Sequence, residues 1–338
     1  MKSPIQKLLL GLVTSALFFT ACGKKADDAA APAAAPEAPA ELTIPDAPDA
    51  AMKLIMTELA NGNGGILWKA MPASYQGDVN SVVQLAGTKI DAEMYNKTFS
   101  LVGRIGQIAG KQKDFIVNTS LGQSSDEERA KMAEGIPALV QFIEVITTSD
   151  LATSAGLQSF DGQKFCDVTV SKLTKLIEEL SKLSDEEGQP SLDDLRNAVV
   201  AVVESDDTMT TLSFTAPGQP EETSEFTKVE NRWVPTEMAA DWTQSMTDAK
   251  AQLEAISPEE VTEMKPQVMV VLTMVEGVLT QIEAAETQEQ FDQALQGAMM
   301  PMMGLMMMGQ GFGGGSAPAP MMAPPVMEEI EAPMPQSK

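Results

Sequence analysis

Residues 199–214, VVAVVESDDTMTTLSF, decide the fold. Val199, Val200, Val202 and Val203 make a β-branched run, Ser205-Asp206-Asp207 is turn chemistry, and Met209-Thr210-Thr211-Leu212-Ser213-Phe214 is a second β-branched run with an aromatic end. Such residues fit a pleated, half-buried surface, and clustered Ser and Asp punctuate it. Pro217-Gly218-Gln219-Pro220 is a further turn, Glu225 to Glu230 a third run, Asn231-Arg232 another turn and Trp233-Val234 a last short segment. The reading is an antiparallel meander of three or four strands within residues 197–236. One face should bury Leu212, Phe214, Phe226 and Trp233 against helices, because an isolated ribbon of this size is marginal in water.

On both sides of the meander the apolar period lengthens to that of a helix. Upstream, residues 46–196 read as a helical bundle. Met52, Ile55, Met56 and Leu59 share one helix face behind an Asp46 or Asp49 N-cap, and Asn61-Gly62-Asn63-Gly64-Gly65 ends that helix. A short helix from Ile66 to Met71 stops at Pro72, and the next carries Tyr75, Val79, Val82, Val83, Ala86 and Ile90. Asp91 starts another, with Met94, Tyr95, Phe99, Val102, Ile105 and Ile108 inward, and a brief helix spans Lys113 to Leu121. Ser125 with Glu128 forms a capping box ahead of Met132, Ile136, Leu139, Val140, Ile143 and Ile146. A further helix runs from Gln163 to Leu183, with Phe165, Leu173, Leu176, Ile177 and Leu180 on its apolar face, and Asp185 to Pro190 is a loop.

Downstream, residues 237–308 return to helix through Trp242, Met246, Ala249 and Leu253. Ser257-Pro258-Glu259-Glu260 combines an N-cap Ser, Pro at the first helical position and Glu at the third. Behind it Val261, Met264, Val268, Val271, Leu272, Val275, Leu279 and Ile282 make a long stripe, with Pro266 placed to kink it. Thr287 and Gln290 cap a last helix through Phe291 and Leu295. The fold class is therefore α+β, mainly α. No repeat of fixed period is present, which argues against a solenoid.

The flanks differ in composition. Residues 22–45 reduce to Ala, Pro, Asp and Glu with proline at 32, 36, 39 and 45, an extended tether without a core. Residues 309–338 are Gly, Pro and Met, and disorder is expected there. Residues 1–21 carry Lys2 and Lys7, an apolar run from Leu8 to Phe19, then Thr20 and Ala21 ahead of Cys22. That is the charged, apolar and small-residue order of a secretory signal, too short for a spanning helix. Phe19-Thr20-Ala21-Cys22-Gly23 resembles the lipobox of bacterial lipoproteins, with Phe19 where Leu is usual. The resemblance implies cleavage before Cys22, lipid on its sulfur and a membrane anchor facing the periplasm. Gly23 after the cysteine slightly favours the outer membrane. The alternative is an ordinary signal peptide cut nearby, with Cys22 incidental.

Charge and rare residues exclude much chemistry. The chain of 338 residues has 48 acidic and 23 basic side chains, a formal charge of −25. Removing residues 1–21 takes away Lys2 and Lys7 and no acid, moving the charge to −27. Nucleic acid is not an expected partner, since binding to phosphates needs basic patches. With Cys22 acylated, Cys166 is the other of two cysteines and has no mate for an intramolecular disulfide. The chain contains no histidine, which removes Ser-His-Asp and Cys-His catalysis, histidine zinc sites and the usual proton carrier near neutral pH. No cofactor is expected.

Several constellations invite a site. Trp68, Tyr75, Trp233 and Trp242 offer faces for a sugar or peptide, against which stands a role as core anchors. Glu178-Glu179, Asp193-Asp194, Glu221-Glu222 and Glu259-Glu260 suggest glycosidase carboxylates, but neighbours on one element do not flank a scissile bond. Ser184-Asp185-Glu186-Glu187-Gly188 lacks the alternating oxygen ligands of a calcium loop. Cys166 has no histidine to lower its thiol pKa. Gly103, Gly106 and Gly110 lack the Gly-Lys-Ser/Thr ending of a phosphate loop and fit close helix packing. Met299, Met300, Met302, Met303, Met306, Met307 and Met308, followed by Met321, Met322, Met327 and Met334, are soft thioether donors suited to Cu(I), or an adaptable apolar contact, or, with no His or Cys beside them and Pro and Gly around them, low-complexity sequence without a specific role.

Leu67-Trp68-Lys69-Ala70-Met71-Pro72-Ala73-Ser74-Tyr75-Gln76, and the run Phe226 to Ala239 that includes Asn231-Arg232-Trp233-Val234-Pro235, resemble an uncharacterised exported lipoprotein family of planctomycete-type bacteria. The resemblance spans about residues 46–300 and implies source and extent, with no activity attached. The sequence thus leads to a membrane-anchored lipoprotein of the cell envelope with a non-catalytic binding or structural role, partnered by the membrane and by another envelope protein. The alternatives are Cu(I) handling through the Met-rich segment and, more remotely, a carboxylate-dependent envelope hydrolase.

Overall fold

The computed structural model describes residues 42–119, 125–181 and 191–297. The first helices are α1 (Pro48–Ala60), α2 (Gly65–Ala70), α3 (Ala73–Lys89), α4 (Ala92–Lys111), α5 (Lys113–Val117) and α6 (Asp126–Thr147). A 3-10 turn at Asp150–Ala152 leads to α7 (Ser154–Gln158), then to α8 (Gly162–Phe165), a π turn (Cys166–Val170) and α9 (Ser171–Ser181) in one continuous helical path. After α10 (Leu192–Asn197) come β1 (Val199–Ser205), β2 (Met209–Thr215), β3 (Glu222–Val229) and β4 (Arg232–Pro235), then α11 (Thr236–Ala255), α12 (Pro258–Glu283) and α13 over 288–297. The class is α+β, mainly α, with one antiparallel sheet in the order β1-β2-β3-β4.

Local chemistry explains most boundaries. Asp91 caps α4, its carboxylate accepting from the Glu93 and Met94 N–H groups. Ser125 and Glu128 close a reciprocal capping box on α6. Pro258 opens α12 and the Ser257 hydroxyl accepts from the Glu260 N–H while donating to the Glu259 carboxylate. Asn61 ends α1, and Gly62 follows at φ +80°, a left-handed conformation that glycine adopts without strain.

Other expectations need correction. Neither Asp46 nor Asp49 caps α1, whose N-cap is Ala47; proline at the first helical position presets the turn instead. The brief helix after α4 covers only Lys113–Val117. Ile105, Met132 and Leu139 are exposed. The reason is that α4 meets α6 along Gly103, Gly106 and Gly110, which face Thr147, Ile143 and Val140 in that order. That line is narrower than the apolar stripes of either helix. The hairpin turn before β4 is Glu230-Asn231, both at positive φ, and Arg232 already belongs to the strand. The π turn and α10 carried no expectation, although Ser191 and Asp194 form a capping box on α10. The loop at 185–190 and the Gly/Pro/Met segment lie outside the described residues.

Packing crosses the sequence segments. Met52, Ile55, Met56 and Leu59 of α1 pack with Leu192 and Leu195 of α10 against Leu212, Phe214, Phe226 and Trp233 on one sheet face, all 7% exposed or less. Burying a large apolar side chain contributes about 1.5–3 kcal/mol, so this junction anchors the sheet. Leu101 and Ile108 of α4 meet Leu272, Leu279 and Ile282 of α12, with Phe291 and Ala294 of α13 closing the cluster. Ion pairs flank that contact: Lys265 with Asp91 and Glu93, Lys97 with Glu276, and Arg104 with Glu283. Residue numbers rise together along both helices, so α4 and α12 run parallel.

Candidate functional site

Residues 67–76 and 226–239 meet in space. The Glu230 carboxylate, on the β3-β4 turn, accepts from the Ser74 N–H at 3.0 Å and so caps α3 from across the fold. Hydrogen bonds from the Ser74 and Ala73 N–H groups hold that carboxyl below its usual range. Arg232 Nε donates to the Lys69 carbonyl at 3.0 Å, and Gln76 Nε2 bridges the Trp68 and Met71 carbonyls. Tyr75 stacks on Trp242 with centroids 4.0 Å apart and planes 7° from parallel. The Trp242 indole N–H donates to Asp78, which also pairs with Lys250 at 2.7 Å. The Lys250 hydrogen bond lowers the Asp78 pKa, while burial, then Glu230 and Asp78, raise that of Tyr75.

The four aromatics are anchors. Trp68 lies on the Gly162 backbone, where any Cβ would collide with its ring. Trp233 donates to the Asp46 carbonyl at 2.8 Å under the Lys228 ammonium. Trp68, Tyr75, Trp233 and Trp242 are each buried, with exposures of 5–7%, so none offers a face to a ligand.

The acidic pairs resolve into local work. Asp194 caps α10 and Asp193 pairs with Arg196. Glu259 and Glu260 belong to the α12 cap, Glu178-Glu179 sit on α9 and Glu221-Glu222 lead into β3. Cys166 lies in the π turn, where burial and then the Asp167 charge push its thiol up to about 12; at neutral pH it is a thiol, not a nucleophilic thiolate. Among the described residues no cluster of three or more His, Cys, Asp or Glu side chains suits a metal ion, and no helix is long and apolar enough to cross a membrane. Cys22 and the methionines from Met299 to Met308 lie outside the described residues.

A groove of about 450 Å³ beside α4 is lined by Asn96, Ser100, Arg104, Gln107 and Thr147. Its one formal charge, Arg104, is held by Glu283 and Thr280. The groove therefore offers hydroxyls and amides but no reactive group.

One surface the fold leaves unpaired among the described residues is the outer side of β1. This strand lies at the sheet edge, and among the described residues no strand pairs with its far side. Val199 is 63% exposed, Val203 55%, Val202 44% and Met209, across the turn, 42%. The register is regular from Val199 to Val202 and shifts between Val202 and Glu204. Glu204, Thr211 and Glu225 lie in one row across the sheet, on the face opposite Leu212 and Phe214. Asp206 beyond them accepts from the Thr208 and Met209 N–H groups at 2.7 Å each, which lowers its pKa and keeps it ionised. The hairpin 199–215 contains Glu204, Asp206 and Asp207 and no lysine or arginine. Sequence reading marked these valines as a strand and missed their exposure. The available signal was apolar residues on both alternating faces of the first strand of a meander, which sits at an edge by topology.

Compared with protein-family models, curated proteins and solved structures, the chain matches none of them.

Proposed function

We propose that the chain is an exported lipoprotein, cut before Cys22 and anchored through lipid on that residue, that serves the cell envelope as a non-catalytic binding or structural component. The observation that carries this reading is the N-terminal order of Lys2 and Lys7, the apolar run to Phe19 and the small residues ahead of Cys22. The resemblance of residues 67–76 and 226–239 to an exported lipoprotein family of planctomycete-type bacteria agrees with it. Two or more acyl chains make anchoring stable, at ~0.8 kcal/mol per buried methylene. The binding half of the reading draws support from the β1 edge, an apolar surface that the described fold does not use. Replacing Cys22→Ser should release the chain from the membrane fraction and abolish incorporation of labelled fatty acid. A Ser variant that stays membrane-bound and labelled sinks the proposal.

The clustered methionines support a second reading, a Cu(I)-handling lipoprotein using Met299, Met300, Met302, Met303, Met306, Met307 and Met308. Deleting residues 299–338 should then remove Cu(I) binding in a chelator competition; undiminished binding refutes it.

A further inference from the structure

From the edge strand we infer that β1 receives an extended peptide segment of a partner protein, one alternating apolar residues with lysine or arginine, as an added antiparallel or parallel strand. This rests on the binding role proposed above and names its partner class. An unpaired strand edge presents a row of N–H and C=O groups to an incoming backbone, and natural proteins normally blunt such edges with lysine, proline or a covering element. Here the straight run Val199–Val202 contains no lysine or proline, and among the described residues no strand covers its outer side. The irregularity at Val203 ends the regular run, which sets the length of the docking segment to a few residues.

Charge selects the occupant. Glu204 follows the straight run, with Glu225 two strands away in the same row and Asp206 and Asp207 at the turn. No base stands on β1 or β2 to neutralise them. A second copy would bring the same acids and a net charge of −25 to the contact, whereas a basic strand is drawn in by the field and matched at Glu204. Side chains landing beside Val202, an exposed valine on the Leu212 and Phe214 face, would be apolar, and those on the opposite face, shared with Glu204, would be basic.

The test uses the full chain in mild detergent, titrated into a labelled synthetic peptide alternating valine with lysine, and into the same peptide with glutamate for lysine. Binding is read by fluorescence anisotropy and by hydrogen exchange of the segment 199–205. The expected result is binding of the basic peptide alone, weakened by salt, with slowed exchange in β1. The double variant Val199→Lys and Val203→Lys, at the two most exposed valines of β1, should keep its circular dichroism and bind at least about tenfold more weakly. Equal binding of the acidic peptide, binding without protection of 199–205, unchanged binding by the double variant or no binding at all overturns the inference. So does a concentration-dependent dimer that the same double variant dissolves, which assigns the edge to a second copy. The Cys22→Ser fractionation is unaffected by any of these results, so failure here and failure of the lipoprotein reading are distinguishable.

Discussion

Replacing Gly64→Ala should destabilise the protein by about 2–3 kcal/mol, although alanine suits the backbone there. Gly64 has φ −65° and ψ −23°, ordinary right-handed helical values, and on chain entropy alone the change would gain about 0.4–1 kcal/mol. Space reverses the sign. A Cβ at this position would lie 2.6 Å from Ser171 N, 2.8 Å from Cys166 O and 2.8 Å from the Val170 carbonyl carbon. All three are backbone atoms of the π turn and of the first residue of α9, so no side chain can rotate away. Ordinary contact begins near 3.4 Å, and the loop must retreat by most of an ångström. That movement lengthens the 2.8 Å hydrogen bond from the Gly64 N–H to Ser171 Oγ. Overpacking costs about 1–3 kcal/mol and a weakened hydrogen bond about 1, which together outweigh the entropic gain. For a fold of this size the loss lowers Tm by roughly 5–10 °C. Thermal and urea melts followed by circular dichroism would measure it beside Gly77→Ala and Gly277→Ala, where nothing lies within 4 Å of the added Cβ. Those two sit inside helices and should gain about 0.5–1 kcal/mol. A Gly64→Ala protein that melts with or above the parent refutes the close-approach argument.

Trp242→Ala should cost about 3–5 kcal/mol in urea unfolding, by removing a buried ring stacked on Tyr75; a loss under ~1 kcal/mol would mean the stack is not structural. Acid should unfold the protein through carboxyls held low: Asp78 by Lys250, Asp206 by the Thr208 N–H and Glu230 by the Ser74 N–H. Because their folded pKa values lie below the unfolded ones, their stabilisation is complete above about pH 4–5 and disappears as pH falls through the folded values. Asp78→Asn should therefore lower the urea midpoint near neutral pH and converge with the parent in acid; a constant gap contradicts the Lys250 pairing. The Cys166 thiol, pushed up to about 12, should resist Ellman's reagent at neutral pH in the folded protein and react on addition of denaturant. Rapid reaction in the native state would place it at the surface.

The meander was legible because its signals are local. Leu212, Phe214, Phe226 and Trp233 occupy the buried face that alternation assigned to them, and the caps at Asp91, Ser125 and Ser257 involve partners two or three residues away. What sequence did not disclose is set at long range. The Glu230 cap on α3 joins residues 156 apart, and no spacing rule looks that far. The same holds for Ile105 and Leu139, placed inward by period but left outside because the α4-α6 contact follows the glycines. Ala47 rather than an aspartate begins α1 because the next residue is proline, a competition between two valid start signals. At the candidate site the valines of β1 were visible as a strand, while their exposure depended on which neighbour the topology withheld.

The parallel pairing of α4 with α12 also imposes a schedule on biosynthesis. Lys97 and Glu276 are 179 residues apart, so at ribosomal speeds of about 5–20 residues per second α4 waits roughly 10–35 s for its mate. During that interval Leu101 and Ile108, later closed over by Leu272 and Leu279, have no native cover from that side. A pause or truncation upstream of residue 272 leaves those side chains open to holdase chaperones and to wrong neighbours. Completion of α12 is thus the event that closes the Leu101 and Ile108 face of α4.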